Sequence, residues 1–329
     1  MPFSLKAAAA ALTLTLAAGP VTAAEPVSVT LDWTPNTNFV GLYVAEALGL
    51  YAAAGLEVSI APFEFGQPSG DVAAFGVLDF YAARAAGLDA TGIYAVIRSE
   101  TGRLAYRGDD IAGPRDLAGK TYGGFGTSWE TAVIDTMIAH DGGTPNYEAA
   151  TLQGSVYDAL RAGAVDFTLE VLTWQGVENA LAGNDVKSFR YADFGVPDQH
   201  TIILAADSAF LAERPEVAQA FVAATRAGYL HAVTNPQQAA EMLMTAAPEL
   251  AAQEALVEAS MQVMVEGNYL VSAEGEAGRF DEKLMSELGD FLFAAGALIG
   301  AEGEVLTEKP DISGWYTNQY VDRSSAASR

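Results

Sequence analysis

Near the amino terminus, the spacing of apolar residues changes from that of a strand to that of a helix and back within residues 27–60. Apolar residues alternate with small or polar ones over 27–31, recur at helical spacing over 39–47, and alternate again over 56–60. Gly49 is placed to end the helix. This order predicts a β-α-β unit, and therefore an α/β protein with parallel strands.

The turn between the first strand and its helix carries side chains suited to binding a ligand. Asp32 and Trp33 fall at the carboxyl end of the strand, and Asn38 follows in a polar turn that begins at Pro35. In open α/β sheets, ligands bind outside the carboxyl ends of the strands. Asp32, Trp33 and Asn38 are therefore predicted to bind a ligand.

Residues 1–24 have the pattern of a secretory signal peptide. Lys6 is followed by an apolar run from Ala7 to Ala18 and by small residues up to Ala24. We expect cleavage near Ala24 and a periplasmic mature protein, the alternative being an uncleaved anchor. The sequence contains no cysteine, so we expect neither a lipid on an amino-terminal cysteine nor a disulfide.

Net charge limits the possible classes of partner, and chain length indicates the number of domains. The formal net charge of −25 disfavours nucleic acid and anionic membrane surfaces, since both require many lysines and arginines. The negative charge also disfavours an anionic ligand. An equally good explanation is that the charge only keeps the protein soluble. The chain beyond residue 24 is longer than one hydrophobic core usually serves, so two domains are expected.

A glycine-rich turn precedes a helix predicted over 129–140. Gly124, Gly126, Thr127 and Ser128 lie in it, and glycines and free N–H groups at a helix start allow a ligand to approach the backbone. The glycine-rich turn is not followed by the Gly-Lys-Ser/Thr of a phosphate-binding P-loop. These four residues are predicted ligand contacts, and a plain turn with Ser128 as helix cap is the alternative.

Three further side chains are candidates for the same pocket. Glu170 lies in an apolar strand predicted over 166–172, where a carboxylate needs a partner or a cleft. Trp174 follows that strand, so Trp33 and Trp174 could hold a flat ring between them, although each could also belong to a core. Tyr81, at a predicted strand-to-helix junction, could line the pocket or pack inside the protein.

No catalytic or metal-binding set is evident. His140 and His231 lie in predicted helices away from strand ends, and only His200 is near the predicted cleft. There is no cysteine nucleophile, no His/Glu metal spacing and no Gly-x-Ser-x-Gly elbow. We therefore expect a binding protein without catalytic residues, metal or cofactor.

Five stretches resemble one family. They are "LDWTPNTNFVGLYVAEALGLYAAAGLEV" (31–58), "PRDLAGKTYGGFGTSWETAV" (114–133), "AGAVDFTLEVLTWQGVE" (162–178), residues 215–244 and "WYTNQYV" (315–321). They resemble the binding proteins for thiamine pyrimidine precursors, which are periplasmic components of ABC importers. The wider superfamily also holds riboflavin binders, alkanesulfonate binders and a yeast pyrimidine synthase.

The resemblance implies a type II periplasmic-binding-protein fold, in which two hinge crossings join two α/β lobes. We expect the crossings near 104–112 and 196–204. The expected first lobe comprises residues 25–110 and 202–329, and the second comprises residues 111–201. Binding energy would close the hinge, and an ABC permease with its ATPase would recognise the closed monomer.

The resemblance also implies the ligand. A pyrimidine precursor such as formylaminopyrimidine or hydroxymethylpyrimidine offers a flat ring and N–H donors, which suit Trp33, Trp174, Asp32, Asn38 and Glu170. Riboflavin or another flat heterocycle is the next possibility, followed by an alkanesulfonate. The synthase branch uses cysteines and an early histidine that this chain lacks. The segment 61–70 is shorter here than in family members, so the resemblance does not indicate whether this segment contacts the ligand.

Overall fold

The first of two mixed sheets begins directly after the predicted signal peptide. The computed structural model describes residues 23–64, 70–152 and 156–326. Residues 1–22 of the predicted signal peptide and residues 65–69 of the short segment 61–70 lie outside these ranges. The strand order is β2-β1-β3-β10-β4, with β10 antiparallel to its neighbours. The strands are β1 (Glu25–Thr30), β2 (Leu56–Ala61), β3 (Val72–Gly76), β4 (Ala90–Ala95) and β10 (Ile202–Asp207).

The second sheet repeats this plan in the middle of the chain. Its order is β7-β6-β8-β5-β9, and β5 runs antiparallel to β8 and β9. Its strands are β5 (Gly102–Tyr106), β6 (Thr121–Gly124), β7 (Glu148–Thr151), β8 (Phe167–Val171) and β9 (Lys187–Arg190). Two α/β lobes, as expected from the sequence, are therefore present.

The chain enters the second sheet earlier than predicted. β4 ends at Ala95 and β5 begins at Gly102, so the first crossing occupies 96–101 rather than 104–112, ahead of the boundary predicted at residue 110. The reason is that β5 is the antiparallel strand between β8 and β9, a long-range pairing that local sequence does not reveal. The return crossing ends at β10, near the predicted 196–204.

Helices cover both sheets, and most of the residues after β10 are helical. Apolar residues recur at helical spacing over 282–299, but the helix ends at Ala294, because Gly296 takes a left-handed conformation. The helices are α1 (Val40–Ala47), α2 (Leu50–Ala53), α3 (Val77–Ala85), α4 (Ser128–His140), α5 (Val156–Ala162), α6 (Val177–Ala182), α7 (Ser208–Glu213), α8 (Pro215–Thr234), α9 (Pro236–Ala246), α10 (Glu254–Glu266), α11 (Glu282–Ala294) and α12 (Gln319–Ala326).

Helix α1 is held in place by a close approach to α8. A Cβ atom at Gly41 would collide with the ring of Tyr229, and one at Gly228 would collide with the Gly41 carbonyl oxygen. The two glycines therefore let the helices touch along their backbones. Tyr229 also donates a hydrogen bond of 2.9 Å to the carbonyl of Asn38, which fixes the turn before α1.

Two large hydrophobic cores support the lobes. One packs α1, α8, α9 and α10 against the first sheet and also takes in Trp174 and Val177 from the second lobe. The other joins the opposite face of the first sheet to residues of the second sheet such as Leu104 and Phe167. Apolar contact between the lobes is thus continuous. Within the described ranges, no helix is both long enough and apolar enough to cross a membrane.

Candidate functional site

A cavity of about 490 Å³ lies between the two sheets. Its walls come from the ends of β1, β3 and β8, from the turns that follow them, and from both crossings, as expected for an α/β clamp. This volume is within the ~300–1,000 Å³ typical of pockets for small ligands. The described residues that line it include Asp32, Trp33, Asn38, Asp79, Glu100, Phe125, Thr127, Trp129, Tyr157, Glu170, Trp174, Gln175, Gln199 and His200.

The turn that follows β1 supplies the first-lobe wall. Asn36 caps the short helical turn before α1 by accepting a hydrogen bond of 2.9 Å from the Asn38 N–H. The Asn38 side chain is buried, lines the cavity and accepts a hydrogen bond of 3.3 Å from Thr173 of the second lobe. Asn38 therefore borders the cavity and joins the lobes at the same time.

Trp33 is surrounded by aromatic rings of the opposite lobe. Its indole makes edge contacts with Phe125 at 6.3 Å and with Tyr157 at 6.2 Å between ring centroids. All three residues line the cavity, and so does Trp174. The cavity therefore has an aromatic wall to which both lobes contribute.

Carboxyl groups face the same space. Loss of solvent in the cleft and the neighbouring carboxyl of Asp79 raise the pKa of Asp32 to about 7. Loss of solvent likewise raises the pKa of Asp79 to about 6. Glu170 is 5% exposed, and burial raises its pKa to about 7 although Asn179 donates a hydrogen bond of 2.9 Å to it. Such shifted carboxyls in a cleft mark a candidate functional site.

Only part of the glycine-rich turn reaches the cavity. Thr127 lines it, and its hydroxyl has no hydrogen-bond partner among the described residues. Gly124, Gly126 and Ser128 are not among the described residues that line the cavity. Gly126 has a φ of +84°, which favours glycine for the turn itself, and the Ser128 hydroxyl donates to the Ala297 carbonyl at 2.6 Å.

Tyr81 lies in the second hydrophobic core rather than in the cavity wall. Its side chain is fully buried, donates a hydrogen bond of 2.6 Å to the carbonyl of Met285 and contacts the ring of Trp315 edge-on. The strand predicted to continue to Phe80 ends at Gly76, so helix α3 begins four residues early and turns Tyr81 inward. The prediction of Tyr81 as a ligand contact is therefore wrong.

Several lining residues were missed in the sequence analysis. Asp79, Tyr157, Gln175 and Gln199 lie in helices or connections whose orientation the local pattern does not reveal. Glu100 had a visible signal, because it is a polar interruption between two apolar strands and marks the first crossing. Polar residues at such interruptions deserve inclusion in a predicted site.

The cavity offers acceptors and aromatic faces rather than positive charge. Its described lining residues include no lysine and no arginine. Burial lowers the pKa of His200 to about 4, so that imidazole is neutral near pH 7. Among the described residues there is no cluster of His, Cys, Asp and Glu that could hold a metal ion. The site is therefore suited to a flat ligand with N–H donors.

A hydrogen bond between the lobes provides a test of their closure. The Trp129 Nε1–H donates to Asp79 Oδ1 at 2.7 Å. Trp129→Phe keeps a ring but removes the donor, at a cost of about 1.5–3 kcal/mol when the acceptor is charged. We expect the ligand-free variant to have a larger radius of gyration in small-angle X-ray scattering than the unmodified protein. Asp79→Asn keeps a neutral acceptor and should expand the protein less than Trp129→Phe does. Scattering from Trp129→Phe identical to that of the unmodified protein would contradict the expectation.

Two α/β lobes, two crossings and a ligand-sized cleft at the carboxyl ends of the strands define a periplasmic-binding-protein fold of type II. The chain belongs to the NMT1/THI5-like family, whose sequence model matches residues 36–239. The family resemblance predicted from the sequence is therefore confirmed, and so is the fold class.

Relatives in this family include binders and synthases. The formylaminopyrimidine-binding protein of Halalkalibacterium halodurans is 30% identical over 238 residues, covering 68% of this chain and 71% of that protein. The 4-amino-5-hydroxymethyl-2-methylpyrimidine phosphate synthase of Legionella pneumophila is 25% identical, covering 68% and 74%. The riboflavin-binding protein RibY of Chloroflexus aurantiacus is 26% identical, covering 94% and 90%.

A solved structure supports the fold independently. The periplasmic aliphatic sulphonate binding protein SsuA from Escherichia coli superimposes with a TM-score of 0.63 at 14% identity, over 88% of this chain and 91% of that chain. At this identity the likeness concerns the fold alone.

Proposed function

We propose that this protein is the periplasmic solute-binding component of an ABC importer and captures a thiamine-precursor pyrimidine between its lobes. The observation that carries the proposal is the chemistry of the cleft. Aromatic rings from both lobes lie beside the carboxyls of Asp32 and Glu170, and the described lining contains no lysine or arginine. An aminopyrimidine presents a π-face to the rings and N–H groups to the carboxyls.

Trp33, Trp174, Asp32, Asn38 and Glu170 are the residues to which we assign ligand binding. Trp33 and Trp174 supply ring faces, and the other three supply hydrogen-bond acceptors. Thr127 adds a hydroxyl from the second lobe, and Gly124, Gly126 and Ser128 shape the turn that carries it. The identity to the formylaminopyrimidine-binding protein of Halalkalibacterium halodurans supports this ligand class.

Binding without catalysis fits these side chains better than synthase chemistry does. The chain has no cysteine, and its three histidines are His140, His200 and His231. His200, the one that lines the cavity, is buried and accepts a hydrogen bond of 3.0 Å from the Asp281 N–H, so it is held as a neutral structural group. We propose a monomeric carrier that a permease and its ATPase would receive in the closed form, exported by the signal peptide at residues 1–24.

Thermal melting of the mature protein tests the ligand class. We expect formylaminopyrimidine or hydroxymethylpyrimidine to raise the melting temperature, since a ligand at 100 times its dissociation constant adds about 2.7 kcal/mol to stability. Thiamine, riboflavin and an alkanesulfonate are the comparison ligands. A shift with riboflavin alone would favour the second candidate, which the long match to RibY supports. A shift with the sulfonate alone would contradict the charge argument.

A further inference from the structure

The two crossings between the lobes are joined side by side beneath the cavity. Asp198 Oδ1 accepts hydrogen bonds from the backbone N–H groups of Glu100, at 3.1 Å, and Gln199, at 2.9 Å. Thr201 Oγ1 accepts from the Thr101 N–H at 2.8 Å. These bonds hold Glu100 and Gln199 next to each other, at the part of a two-lobed clamp that moves least when the lobes open.

Glu100 has one oxygen satisfied and one without a hydrogen bond. The residue is 3% exposed and lines the cavity. Its Oε1 accepts from Arg103 Nη1 at 3.0 Å, whereas Oε2 lies 3.5 Å from Arg190 Nε and has no hydrogen-bond partner among the described residues. A carboxyl oxygen has more than one acceptor site, so Oε2 can accept a hydrogen bond from a bound molecule while it remains in contact with Arg190.

Two glutamines present similar acceptors. Gln199 is 3% exposed and Gln175 is 6% exposed, and both line the cavity. The Oε1 atom of each is buried and has no hydrogen-bond partner among the described residues. Buried polar groups in folded proteins are nearly always hydrogen-bonded, so unpartnered acceptors on residues that line one cavity point to a ligand that completes them.

We propose that Glu100, Gln175 and Gln199 form an acceptor subsite, here called the hinge floor, that selects pyrimidines whose ring substituent carries an amine or ammonium donor. This inference rests on the proposed function and extends it to a part of the ligand that Asp32 and Trp33 do not define. The described residues that line the cavity include no lysine or arginine, and the Glu100 carboxyl already engages Arg103 and Arg190, so a phosphate ester on the same substituent would lie against unpaired acceptors and is rejected.

Calorimetric titration with matched ligands tests the hinge floor. The probes are 4-amino-2-methylpyrimidines whose 5-substituent is methyl, aminomethyl or phosphorylated hydroxymethyl. We expect the unmodified protein to bind the aminomethyl compound at least about tenfold tighter than the methyl compound, and the phosphate ester more weakly than either. Glu100→Gln should bring the aminomethyl-to-methyl ratio towards one, and Gln199→Leu should lower it. Glu258→Gln, an exposed change of the same kind on α10, should leave the ratio unchanged.

The outcomes separate this inference from the proposed function. Equal binding of the methyl and aminomethyl compounds, or an unchanged ratio in folded Glu100→Gln and Gln199→Leu, overturns the hinge floor but leaves a pyrimidine binder. Preferred binding of the phosphate ester also overturns it. If the folded, unmodified protein binds none of the pyrimidines, both the proposed function and the hinge floor are wrong.

Discussion

Trp33→Ala is expected to weaken ligand binding by about 100-fold. Stacking of a base on an aromatic side chain contributes about 1–3 kcal/mol, and each ring contact to Phe125 and Tyr157 adds about 0.5–1.5 kcal/mol to the closed form. The substitution removes all of these, and every 1.4 kcal/mol changes the dissociation constant tenfold. Isothermal titration with the pyrimidine that gives the largest thermal shift measures the loss.

Trp33→Phe is the matched control for this experiment. It keeps a ring against Phe125 and Tyr157, so it should recover most of the affinity. The ligand-free melting temperature of both variants checks that the fold is intact, since Trp33 is half-buried at a cleft rather than inside a core. Unmodified affinity in folded Trp33→Ala would show that the ligand lies elsewhere.

The turn after β1 was predictable because every one of its determinants is local. Strand alternation ends at Leu31, turn residues follow, and the helix period begins at Phe39, so Asp32, Trp33 and Asn38 had to lie at a strand end. Their arrangement around a cavity then follows from the general placement of ligands in α/β sheets. Glu170 was predictable for another reason, since a carboxylate in an apolar strand requires a cleft or a partner.

Asp79 and Tyr81 show where local patterns were insufficient. Residues 72–80 are apolar almost throughout, and a short buried strand cannot be distinguished from a helix start by periodicity in such a run. Ending the strand at Gly76 instead of Phe80 puts Asp79 in the cavity wall and Tyr81 in the core. A few residues of error in one boundary therefore exchanged a site residue for a core residue.

The hinge contacts depend on pairing between distant parts of the chain. Glu100 and Gln199 are adjacent because β4 and β10 pair in the first sheet while β5 pairs with β8 in the second. No pattern within either crossing encodes that adjacency. The second lobe's aromatic contribution, through Phe125 and Tyr157, was missed for the same reason, since it depends on how the lobes meet.

Glu170→Gln is expected to stabilise the ligand-free protein at pH 8 by about 3 kcal/mol and to weaken ligand binding. Burial raises the pKa of Glu170 from 4.5 to about 7, so the folded protein binds more protons than the unfolded chain between these values. The contribution of Glu170 to stability is therefore fully present below pH 4.5 and is lost as pH rises through about 7. Glutamine stays neutral at every pH and avoids that loss.

Urea denaturation of both proteins at pH 4.5 and pH 8 measures the effect. The stability difference should be near zero at the lower pH and favour Glu170→Gln at the higher one, whereas the exposed change Glu258→Gln should show no such dependence. If Glu170 were only structural, Glu170→Gln would be more stable and would bind the ligand with unchanged affinity. If Glu170 were held in a buried ion pair, Glu170→Gln would be less stable. If the charge of Glu170 is retained for ligand binding, Glu170→Gln should gain stability and lose affinity for the ligand. A variant that binds the pyrimidine as tightly as the unmodified protein would remove Glu170 from the site.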